Sequence, residues 1–82
     1  MNEKVTEADI VKWLEKIEKI EVEPTTDKGE EMLTNMKAYI SDCKHFLGQG
    51  DLVRSFECMV HAYAIFETCL ELGVFELIQE TI

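Results

Sequence analysis

The chain has 82 residues, 46% of them hydrophobic and 30% charged, with seventeen acidic side chains against eight basic ones and a formal net charge of −9. That length allows one domain (residues 1–82) with a modest core, the composition is too apolar for a disordered segment, and no apolar run approaches the roughly 20 residues of a membrane span. The acidic excess sets an average field that repels phosphate backbones and anionic lipid, so neither nucleic acid nor membrane is expected as a partner.

The opening segment Met1 to Thr6 is polar and lacks an apolar signal core, from which a cytoplasmic location is expected. Thr6 followed by Asp9 reads as a capping box with a shortened acid, and Ile10, Trp13, Leu14, Ile17 and Ile20 then form one stripe. The first helix is predicted from about Glu7 to Ile20. Lys12, Lys16 and Lys19 on it alternate with Glu15 and Glu18 as on an ordinary solvated face.

Pro24, Thr25, Thr26 and Asp27 break the pattern, and Thr26 or Asp27 is placed to cap a second helix, predicted from about Lys28 to Leu47. Its single broad apolar face carries Met32, Leu33, Met36, Tyr39, Ile40, Cys43, Phe46 and Leu47. Gly48 is expected as a left-handed cap, Gly50 to loosen the turn, and Asp51 to accept from the first amides of a third helix. This is the tip of a helical hairpin, across which residue numbers should sum to about 98.

From Asp51 to Leu72 two apolar stripes run side by side. Leu52, Phe56, Met59, Tyr63, Phe66 and Leu70 make one, and Cys58, Ala62, Ile65, Cys69 and Leu72 the other. A helix with two adjacent apolar faces needs two neighbours, which makes it the middle element of an all-α, up-and-down three-helix bundle. Gly73 ends it, with Val74 folding back on Cys69 or its neighbours. Val74, Phe75, Leu77, Ile78 and Ile82 then read as a short amphipathic C-terminal tail.

Few groups invite a chemical reading. Arg54 and His61 match the spacing of the arginine and histidine in some helical ribonucleases, and lie about 20° apart on one face with Glu57. The same arrangement suits a solvated face, and the acidic field disfavours RNA. Asp42 and His45 stand three apart, but His45 should oppose Val53 and His61 should oppose Lys37, leaving the histidines about 12 Å apart along the bundle and unable to share an ion. Cys43, Cys58 and Cys69 are odd in number and lie on apolar faces, as small core residues do. The aromatic and methionine side chains are expected to pack in the core; a ligand among them would require a cavity. No catalytic, cofactor-binding or metal-binding residue is therefore assigned.

Tyr39, Asp42, Phe46, Leu47, Gly50, Asp51, Phe56, Ala62, Tyr63, Leu72 and Gly73 fall in the run YISDCKHFLGQGDLVRSFECMVHAYAIFETCLELGVF. In that order they resemble the pattern of a largely archaeal family of small proteins, domain of unknown function 357, from about Thr6 onward. The resemblance implies a compact three-helix bundle and no activity. Cys43 and Ser55 depart from it, standing where the family pattern has alanine. The leading expectation is a non-enzymatic interaction or self-associating module, using Trp13, Phe75, Ile78 and Ile82 as surplus apolar surface. An RNA-processing nuclease acting through Arg54 and His61 is the alternative.

Overall fold

The computed structural model describes residues 5–78. Three helices, α1 (Glu7–Glu18), α2 (Asp27–Gly48) and α3 (Leu52–Leu72), are accompanied by two short strands, β1 (Val22–Pro24) between α1 and α2 and β2 (Phe75–Leu77) after α3. The helices start where their caps dictate. Thr6 accepts from the amide of Asp9 while Asp9 accepts from that of Thr6, both at 3.1 Å, completing the box. Hydrogen bonds from Thr6, its backbone amide foremost and then its side chain, hold the Asp9 carboxyl below its ordinary range. Thr26 caps α2 through the Gly29 amide at 2.9 Å, and Asp51 caps α3 through that of Arg54 at 3.1 Å.

The hairpin turn differs from expectation by two residues. Gly48 is still helical, and Gly50 carries the positive φ of 77°. Gly50 and Asp51 donate backward to the carbonyls of Leu47 and Phe46, the paired bonds of a Schellman ending. Two more residues, Gly48 and Gln49, thus stay right-handed before the backbone turns left-handed. Gly73 closes α3 the same way, at φ 81°, with Val74 donating to the Cys69 carbonyl.

The order of contacts shows the chain running up, down and up. Ile10 and Leu14 pack with Cys43 and Met59, and Ile17 with Met36, Ala62 and Cys69. Numbers along α2 fall, and along α3 rise, as those of α1 rise. The core thus has two layers, one toward the hairpin tip and one toward the opposite end. As its two stripes required, α3 is enclosed on two sides: Cys69 and Ala62 are buried and Ile65 is half-buried. Leu72 leaves the pattern, being 71% exposed.

Helix α1 stops two residues short of Ile20, and the segment beyond it is not a plain loop. β1 pairs antiparallel with β2, matching Val22 to Leu77, Glu23 to Glu76 and Pro24 to Phe75. The bundle is therefore not all-α: what reads as an amphipathic tail is a strand. Phe75 is turned inward, where it is 2% exposed and joins Ile17, Met36, Ala62 and Cys69. Phe75 belongs to the core and is not surplus surface for a partner. Ile82, expected in the same surface, lies outside the described residues.

Further bonds lock the strands down. Thr25 donates its amide to the Val74 carbonyl at 3.0 Å and its hydroxyl to that of Gly73 at 2.7 Å, and Ile78 donates to the Glu21 carbonyl at 3.0 Å. Gly29, in the first turn of α2, is buried under this crossing, and a β-carbon there would overlap the Val74 carbonyl oxygen. Only glycine lets the two backbones approach so closely.

Candidate functional site

The hairpin of α2 and α3 has one side covered by α1 and another left open. On the open side α2 presents Met32, Tyr39 and Phe46 at seven-residue intervals, and α3 presents Arg54 and His61 at the same interval. Two cross-helix rungs result. Near the tip the Arg54 guanidinium lies 5.8 Å from the Phe46 ring centre, with the Asp51 carboxylate 3.7 Å from its Nε. About 10 Å further along the axis, the rings of Tyr39 and His61 stack at 4.9 Å and 16°.

Beside the second rung a cleft of about 550 Å³ opens to solvent, lined by Met32, Asn35, Ala38, Tyr39, Asp42, His61 and Ile65. Asp42 is the only carboxylate in that lining. It is exposed, and no hydrogen bond or ion pair among the described residues engages it. Its charge is felt across the seam: burial foremost, and then Asp42, push the Cys58 thiol above its usual range, so the thiol is held in its protonated form. His61 directs Nδ1 to the Glu57 carbonyl at 2.8 Å, which makes Nδ1–H the donor and leaves Nε2 outside that bond.

The candidate residues are thus sorted differently from their spacing. Arg54 pairs with Asp51 and Phe46, and His61 with Tyr39, so the two belong to separate rungs and do not converge on one point. His45 turns toward Phe46, with ring centres 5.3 Å apart, and Asp42 turns into the cleft. Among the described residues no three His, Cys, Asp or Glu side chains are grouped to hold a metal ion, and all three cysteines are free. Hairpin pairs sum to 98 for Cys43 with Ser55 and to 100 for Tyr39 with His61, against the 98 expected, so His61 meets Tyr39 instead of Lys37.

Two features had no clear signal in the sequence. Ser55 is fully buried, donating to the Cys43 carbonyl at 2.8 Å with its oxygen 3.3 Å from the Cys43 sulfur. The two departures from the family pattern therefore touch one another. Tyr63 donates its hydroxyl to the Trp13 carbonyl at 2.6 Å while its ring meets the indole edge-on at 5.8 Å, and burial followed by Glu67 raises its phenol.

A second surface lies along the seam of α1 and α3, where Trp13, Phe56, Met59, Val60, Tyr63, Ala64 and Glu67 line an open, mainly apolar depression. Trp13 is 41% and Val60 47% exposed, and Val53, two turns before Val60 on the same face, is 70% exposed. Lys16 stands over the indole at 4.7 Å. A third opening, about 300 Å³ between α1, β1 and α2, has an apolar floor of Ile17, Ile20, Leu33, Met36 and Ile40 and is open to solvent. Among the described residues no helix is long and apolar enough to cross a membrane.

The bundle, its strand clasp and its open hairpin face define a small, mainly helical domain. The family model described as a protein of unknown function (DUF357) matches residues 9–75, and the chain belongs to that family. It is similar to protein AF1782 from Archaeoglobus fulgidus, known as a crystal structure, at 44% identity and a TM-score of 0.77, over 87% of this chain and 91% of that one. No curated protein matches the chain.

Proposed function

We propose that the domain is a non-enzymatic interaction module and that the α1/α3 seam is its contact surface. The observation that carries this reading is the placement of Trp13, Val53 and Val60, all more than a third exposed, along one seam. Large apolar side chains gathered beside one another stay wet only at a cost of about 25 cal/mol per Å² that a partner surface would remove. Trp13 has the amphipathic bulk typical of interface anchors, and its backbone is already fixed by Tyr63, so little order is lost on contact. Lys16 on one flank and Glu67 on the other supply a polar rim.

Sedimentation velocity across a concentration series tests the module, with a second copy as the first partner. A mass that rises with concentration in the wild type, and stays monomeric in Val60→Glu, supports self-association through the seam. A monomer at every concentration removes it. Nuclease chemistry has no comparable support, because Arg54 and His61 are engaged at separate rungs.

A further inference from the structure

The two rungs on the open side of the hairpin each set a side chain of α3 against an aromatic ring of α2, and they differ in what surrounds the ring. In the first, an aromatic ring, a carboxylate and a guanidinium are all supplied by the chain, as Phe46, Asp51 and Arg54. One heptad on, the second has an aromatic pair, Tyr39 on His61, with the Asp42 carboxylate in the same cleft and no lysine or arginine among the residues that line it. His61 holds the place that Arg54 has in the first rung, so the Asp42 carboxylate and the stacked pair face the cleft without a guanidinium.

We propose that this cleft binds an arginine side chain carried by a basic segment of a partner protein. A guanidinium is planar and rich in N–H donors, and it both stacks on aromatic rings and pairs with carboxylates. Asp42 offers the carboxylate. The Tyr39–His61 pair offers the π surface, and Met32, Ala38 and Ile65 the apolar wall for the methylene stem. A lysine ammonium satisfies the charge but not the planar contacts. The net charge of −9 draws a basic segment toward the domain from a distance, and a like-charged one away. This site lies on α2 and α3, and it stands whether or not the α1/α3 seam associates.

The test uses two blocked peptides, Gly-Gly-Arg-Gly-Gly and its lysine counterpart, titrated at equal ionic strength into the isotopically labelled full chain and followed by amide shifts. The proposal expects shifts centred on Tyr39, Asp42, His61 and Ile65, with the arginine peptide binding at least about threefold more tightly than the lysine one. Asp42→Asn, at an exposed position, should keep the dispersed spectrum and lose about tenfold in affinity for the arginine peptide. Glu71→Gln, an equal change in net charge on another face of α3, should lose less than about twofold. Equal binding of the two peptides, equal losses in the two variants, shifts centred elsewhere, or no binding of either peptide would each overturn it.

Discussion

The two ends of the bundle are closed by different means. At the hairpin tip, α2 and α3 are held by contacts close in sequence: Gly50 reverses the chain, Asp51 caps the next helix, and Ser55 reaches Cys43 twelve positions back. At the other end β1 and β2 join segments about fifty residues apart, and Thr25, Gly29 and Val74 meet where they cross. The tip is assembled from local preferences that each residue carries by itself. The clasp exists only once the three helices have packed and brought its halves together, so its cost in chain entropy is met by burial of Phe75.

Changes at the clasp should therefore cost more than changes at the tip. Phe75→Ala, which empties a ring from the lower core, is expected to destabilise by about 3–5 kcal/mol, enough to leave a domain of this size largely unfolded in a urea titration. Gly29→Ala comes next, at about 2–3 kcal/mol, since a methyl group there meets a backbone oxygen that cannot rotate away; the midpoint of the same titration reads it. A small effect of both would mean that the strands are dispensable.

Effects at the tip should be smaller. Ser55→Ala removes a buried hydroxyl from a carbonyl that keeps its helical bond, for about 1 kcal/mol, and a double-mutant cycle with Cys43→Ala should show the two to be coupled. Gly50→Ala, at a positive φ, should cost about 1 kcal/mol by thermal unfolding. The smallest expected effect has the opposite sign. Glu23 and Glu76 face each other across the ribbon, so Glu76→Lys should stabilise by about 0.5 kcal/mol, and more at low salt.

The same contrast governs what the sequence makes legible. Helices α1 to α3, their caps at Thr6, Thr26 and Asp51, and the close at Gly73 all follow from periodicity and short-range chemistry. The strands do not: three residues are too few to show alternation, Pro24 argues against a strand, and Val74 to Ile78 fit a helical stripe as well as a ribbon. Phe75 thereby reads as a surface residue beside Trp13 and Ile78, which do lie there. The open cleft was legible only in part. Tyr39, Asp42 and His61 each stand out, but their meeting depends on the hairpin register, and a shift of two residues separates Lys37 from Tyr39 as the neighbour of His61. Cys43 and Ser55 read as two independent small residues because nothing short of a packed hairpin shows that they touch.

The clasp is tested most directly by a nuclear Overhauser spectrum of the native chain. The pairing of Val22 with Leu77 predicts a strong cross-peak between their α-protons. A helical series of sequential amide contacts through Val74 to Ile78, with no contact to Val22, would contradict it.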